Sequence, residues 1–253
     1  MEAAAARPKV ATRAMTPAVR PLSDVMGAEV TGIDVARPLP ADLRRQLEEA
    51  FDVRKLLCFR DQLLTVDSLV AFARSWSSRR DIAMLAPGDG MADVSIASNA
   101  DENGRPNGQH PNPAATRWCA NRWWRGEPVN ATLLYGVEVP SEGGDMLFAN
   151  VAMAYRALPS TLEEAAADLS ASSSAEDSRR AGGGSVPDDV LAFVTRPQFV
   201  YRHKWRPRDL LMWDDRCTLH CETPFDAGQE LRTVFRTFVA GVPPHRQSPI
   251  TRN

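Results

Sequence analysis

Four short apolar runs in the second half of the chain limit it to a sheet-based fold: Ala131 to Val139, Phe199 to His203, Leu210 to Trp213 and Thr233 to Ala240. Each is too short for an ordinary helix and rich in β-branched, aromatic or large aliphatic residues. The last alternates apolar with polar positions, as a half-buried strand does. Asp93 to Ala97, Lys55 to Arg60 and the alternating stretch from Met26 to Val35 add three more strand or hairpin signals. Pro40, Ala41 and Asp42 open a helix whose Leu43, Leu47, Ala50 and Phe51 share one face. A second helix is predicted over Asp67 to Trp76, where Leu69, Phe72, Ala73 and Trp76 recur at helical spacing behind a Thr65 cap. Val151 to Leu158 and Asp188 to Phe193 carry two brief ones. Early helices followed by many short strands with Gly and Pro turns specify a mainly β core with helical cover, either a sandwich or a barrel-like jelly roll.

A chain of 253 residues with 43% hydrophobic composition can bury one substantial core. We expect a single domain over 21–253, a disordered segment over 1–20, and a flexible insert near 169–187. That insert, LSASSSAEDSRRAGGGS from Leu169, has almost no large apolar side chain to bury. The 30 basic and 32 acidic residues leave a formal net charge of -2, so no overall field draws the chain to nucleic acid or to an anionic membrane. A small-molecule partner fits better. No apolar run approaches the ~20 residues of a membrane span, and the start MEAAAARPKVATRAM lacks the continuous apolar stretch of a secretory signal. The four cysteines form no regular framework, which argues for free thiols in a reducing compartment and a cytoplasmic location. Cys58, inside an apolar run, is expected to be buried and inert.

Four segments in order resemble the taurine dioxygenase and phenoxyacetate dioxygenase family of iron and 2-oxoglutarate oxygenases. They are GAEVTGIDVARPL from Gly27, LCFRDQLLT from Leu57, YGVEVPSEGGDMLF from Tyr135, and RPQFVYRHKWRPRDLLMWDDRCTLHCETPFD from Arg196. The resemblance implies a double-stranded β-helix, a cupin-like jelly roll whose mouth holds one iron in a triad of two histidines and one carboxylate. It further implies oxidation of a small anionic organic substrate coupled to decarboxylation of 2-oxoglutarate. His220 matches the distal histidine. In the matching Trp-His-x-Asp run, however, this chain reads Trp118-Cys119-Ala120-Asn121, so a thiol and an amide replace an imidazole and a carboxylate. No His or Asp lies between Asn112 and Asn130 to take their place. Arg232 matches the arginine that clamps the remote carboxylate of 2-oxoglutarate, Arg236 a second arginine on the same face, and Met146 the threonine that assists the clamp. The stretch between Leu158 and Thr195 is shorter than the family's, so the jelly roll is expected to be reduced, with a second copy of the chain as a candidate partner for any exposed strand edge.

Three functions stay open on the sequence. One is an oxygenase whose iron is held by His220, Cys119 and Asn121. Another is a pseudoenzyme that binds a carboxylate through Arg232 and Arg236 without turning it over. The third is re-purposed chemistry of Cys119 as a nucleophile beside His220. Trp118, Trp123 and Trp124 read as packing, and Asp145, Asp214 and Asp215 as turn and network residues.

Overall fold

A computed structural model describes residues 16–76, 94–120, 123–124, 127–163 and 187–240. Eleven strands are present among them. They are β1 (Ala18–Pro21), β2 (Ala28–Thr31), β3 (Leu56–Phe59), β4 (Ser95–Ser98), β5 (Trp123–Trp124), β6 (Glu127–Glu138), β7 (Met146–Asn150), β8 (Val200–His203), β9 (Leu210–Asp214), β10 (Thr218–Glu222) and β11 (Thr233–Ala240). The helices are α1 (Ala41–Arg54), α2 (Val66–Trp76), α3 (Val151–Arg156) and α4 (Asp188–Val194). The large sheet runs β1-β2-β3-β9-β6-β11-β4 with β5 on β6, and the small sheet runs β10-β7-β8. All pairings are antiparallel except β2 with β3, which α1 connects.

The central strands β3 and β9 read as apolar runs because the large sheet is buried on both faces there. Side chains alternate across it. Leu57 and Phe59 of β3, Leu133 and Tyr135 of β6, and Leu210 and Met212 of β9 pack outward against Leu47 and Phe51 of α1 and Leu69, Phe72 and Trp76 of α2. Leu56 and Cys58, Leu134, and Leu211 and Trp213 point the other way. There they meet Met146 and Phe148 of β7 in the space between the two sheets. The small sheet is covered in turn by α3 and α4, whose Ala154, Val190, Phe193 and Val194 pack on Ala149 and Leu219. Helices, sheet, interior, sheet, helices is the layering of a jelly roll with helical cover, as the strand pattern predicts.

The start of α2 is a reciprocal cap: Ser68 N donates to Thr65 Oγ1 at 3.2 Å and Thr65 N to Ser68 Oγ at 2.9 Å. The alternating stretch from Met26 shrinks to the four residues of β2, because Gly32 bends the chain at a φ of 76°. The segment expected to fray over 1–20 is ordered from within: Ala18 to Pro21 form β1, paired with β2. Residues 1–15 and the insert near 169–187, apart from Pro187 at the start of α4, lie outside the described residues. No helix among the described residues is long and apolar enough to cross a membrane.

Candidate active site

β10 carries the centre of the site. Leu219 turns outward into the α3 and α4 layer, so His220 and Glu222 both turn inward, two positions apart on one strand. His220 lies against Trp213, with ring centroids 5.0 Å apart, and is 5% exposed. Cys119 reaches it by a single bridge on the free edge of β10: Cys119 N donates to His220 O and His220 N to Cys119 O, each at 2.9 Å. The Cys119 Sγ then sits 3.5 Å from His220 Nε2. Asn121 lies outside the described residues.

Two expected site residues are therefore adjacent, and burial sets their charge. Desolvation pushes the Cys119 thiol up to about 11, with Asp215 adding to the rise and Arg236 opposing it. It pulls the His220 imidazole down to about 4, against the pull of Glu222 and with the help of Arg236. At neutral pH this is a protonated thiol beside a neutral imidazole. A cysteine nucleophile requires the opposite, a thiol pKa lowered by its surroundings, so the electrostatics oppose a Cys119–His220 catalytic pair. Cys217 and Cys221 are likewise pushed up by burial, to about 12 and about 11.

Arg232 is fully buried immediately before β11, and its guanidinium is already engaged. Its Nη2 donates to Glu222 Oε1 at 2.7 Å and its Nε to Glu222 Oε2 at 3.2 Å, a two-pronged pair. The third nitrogen, Nη1, is buried without a hydrogen-bond partner. His110 approaches Glu222 from the opposite loop, Nε2 to Oε2 at 3.3 Å. The backbone N–H of Asn112 donates to His110 Nδ1 at 3.0 Å, which leaves Nε2 as the ring nitrogen that faces the carboxylate. Burial alone would raise the Glu222 carboxyl, but His110 and Arg232 outweigh it and hold it below the usual carboxylate range.

Arg236, four residues on, faces the same interior. Its Nε donates to Ser95 Oγ at 3.2 Å, and its guanidinium lies 5.5 Å from the Phe238 ring. Burial lowers its pKa, while the fields of Cys119, Glu222 and Asp215 resist the change, which places all three acids near it. Met146, the cross-strand partner of Glu222, is 1% exposed in the apolar interior with Leu134, Phe148 and Trp213. A thioether donates no hydrogen bond to a carboxylate.

Sequence reasoning missed Glu222 and His110. Glu222 was findable, because the rule that places alternate strand residues on one face applies to His220 and Glu222 as it does to Cys119 and Asn121. His110 sits in a Gly, Pro and Asn loop where no period announces direction.

A second polar cluster lies in the interior. Cys58, His203 and Asp209 present ligand-type atoms within 4.8 Å of one another, and among the described residues they form the group close enough to hold a metal ion. A cation already serves it. Arg60 Nη1 lies 2.5 Å from Asp209 Oδ2 and Arg60 Nε 2.8 Å from Glu29 Oε1, while His203 Nε2 faces the same Asp209 oxygen at 3.3 Å. Burial pushes the Cys58 thiol far up, as expected of an inert core cysteine. This is a closed ion network that ties β3 to the turn before β9.

The family model described as taurine catabolism dioxygenase TauD, TfdA family matches residues 18–189 and 184–238. The chain belongs to the TauD/TfdA family. The α-ketoglutarate-dependent 2,4-dichlorophenoxyacetate dioxygenase of Cupriavidus pinatubonensis is 26% identical over 278 residues, covering 86% of this chain and 96% of that enzyme. That alignment is longer than the whole chain of 253 residues, so the relative carries segments that this TauD/TfdA protein lacks. The crystal structure of AAD-2 with Mn(II) and N-oxalylglycine superposes with a TM-score of 0.70 at 27% identity, covering 92% of this chain and all of that one. A taurine dioxygenase from Burkholderia xenovorans gives 0.65 at 25% identity, covering 89% and 91%. The TauD/TfdA family is one of iron and 2-oxoglutarate dioxygenases with small anionic organic substrates.

Two of the three residue types at the matching ligand positions of this chain differ from the imidazole and carboxylate that the resemblance implies. A hard iron ion is best served by anionic oxygen and imidazole; of the three ligand positions that the resemblance implies, His220 keeps its residue type, position 119 offers a thiol and position 121, by sequence, an amide. Arg232, the arginine expected to clamp the co-substrate, is paired to Glu222 in this structure.

Proposed function

We propose that this TauD/TfdA protein is a pseudoenzyme: it keeps the oxygenase barrel and binds a small anionic organic molecule without oxidising it. The observation that carries the reading is the 3.5 Å contact of Cys119 Sγ with His220 Nε2, both groups neutral, where the family resemblance calls for two imidazoles around a metal. Arg236 is the cation that supports anion binding, since it faces the interior, where its Nε donates to Ser95 Oγ, and its charge is only partly solvated. The classes of anion that relatives handle, aryloxyalkanoates and sulfate esters, are the first ligands to try. A surface groove lined by Glu142, Asp226 and Glu230 has the wrong sign for them. The interior residues act by binding and orienting: Arg236 pairs with the anion, and Trp213 and Phe148 bound the space beside His220. No proton or electron transfer follows from this set.

Metal analysis of the purified protein with an anaerobic titration of Fe(II) and 2-oxoglutarate tests the reading. The natural chain is expected to retain no iron and to give no visible charge-transfer band. The double change Cys119→His and Asn121→Asp should create iron affinity, because it restores the imidazole and carboxylate that the family resemblance implies alongside His220. A band in the natural protein would overturn the proposal.

A further inference from the structure

We infer that Glu222 is an internal occupant of the carboxylate clamp, and that this residue excludes 2-oxoglutarate from the protein. The inference deepens the pseudoenzyme reading and rests on its placement of anion binding at the interior residues around Arg236. Its grounds are separate from the metal ligands.

The geometry is that of a bound ligand supplied by the chain itself. Glu222 presents both carboxylate oxygens to Nη2 and Nε of Arg232 at 2.7 and 3.2 Å, the fork arrangement in which a guanidinium receives a free carboxylate. Arg232 is 0% and Glu222 7% exposed, so water does not screen the pair. His110 reinforces the occupant from the other side at 3.3 Å. The one guanidinium nitrogen that Glu222 leaves over, Nη1, is buried with no partner. A single hydrogen-bonding nitrogen cannot hold an incoming carboxylate in two-pronged fashion. Next to the pair, across the β10–β7 ladder, Met146 offers a thioether where a second hydrogen-bond donor would be needed.

A dicarboxylate entering from solvent must therefore displace a carboxylate that is tethered two residues from His220 and present at high effective concentration. Displacement also strips Glu222 of its two-pronged guanidinium partner in the interior and leaves it His110 and the more distant field of Arg236, which makes the exchange unfavourable. What such a pocket still admits is an anion satisfied by Arg236 alone. Monoanions therefore fit this protein and 2-oxoglutarate does not.

The test is metal-free calorimetry with 2-oxoglutarate and glutarate on the natural chain, Glu222→Ala, Glu222→Gln, and Glu222→Ala combined with Arg232→Ala. The natural chain should show no saturable heat. Glu222→Ala should bind both dicarboxylates at least about tenfold more tightly and gain melting temperature on their addition, as the free acid refills the vacated site. The added Arg232→Ala should abolish both effects. Glu222→Gln keeps the side-chain shape and should fall between. Natural protein that binds 2-oxoglutarate as tightly as Glu222→Ala overturns the inference, as does a folded Glu222→Ala that gains nothing. If neither variant folds, the carboxylate is a fixed strut and not an exchangeable occupant, which also overturns it. Because no metal is present, a positive result here together with iron found in the natural protein would keep this inference and sink the pseudoenzyme reading instead.

Discussion

His220 shows how a buried side chain records its surroundings in a pH profile. Its imidazole is depressed to about 4 from the ordinary 6.5, so between those values the unfolded chain takes up a proton that the folded chain refuses. Stability is complete above about pH 6.5 and falls as the pH drops toward 4, by roughly 3 kcal/mol for this group. His203, also pulled down by burial, acts in the same direction. Urea midpoints at pH 7.5, 6, 5 and 4.5 should decline steadily, and His220→Gln should flatten part of that slope. The neighbouring residues mark the limit of what the sequence made legible. The adjacency of Cys119 and His220 was legible through the family resemblance of the runs around them, which implies that both line one site. The state of Arg232 did not, because a guanidinium that could clamp a ligand and one already paired to Glu222 have the same local sequence, and only the facing of β10 on the turn before β11 separates them.

At the scale of elements, the Gly143-Gly144 turn determines how β7 meets β10. Gly143 has a φ of 74°, and a Cβ added there would lie 2.3 Å from the Pro224 carbonyl oxygen and 3.0 Å from the Phe225 Cα. Both atoms are backbone and cannot step aside. Gly143→Ala should cost about 2 kcal/mol or more, read as a lowered urea midpoint, and should loosen the strand that carries Met146. The strands themselves divide by legibility for a physical reason. β9 stands out in the sequence because both of its faces are buried, and β11 because it alternates apolar with polar positions. β10 does not, because it turns His220 and Glu222 into the interior, and polar residues facing inward invert the pattern that marks a strand. β1 is missed because it is a short edge strand whose Arg20 and Pro21 are exposed.

Across the whole molecule, the large sheet is closed by residues far apart in sequence. Arg60, at the end of β3, pairs with Asp209, 149 positions later, and with Glu29 on β2. Arg60→Ala leaves two carboxylates without their counter-ion, one of them 1% exposed, and should lower unfolding free energy by about 3–5 kcal/mol in equilibrium denaturation. Arg60→Lys, which keeps charge and loses the fork, should lie between. The same span has a consequence for how the protein is made. β3 gains its β9 partner only when residues near 210 have been synthesised, on the order of ten seconds or more after β3 itself at ordinary elongation rates. Through that interval Leu56 to Phe59, four residues with no exposed side chain in the finished fold, wait as an unpaired apolar edge. Nascent chains halted between β3 and β9 are therefore the species that a ribosome-associated chaperone would have to hold.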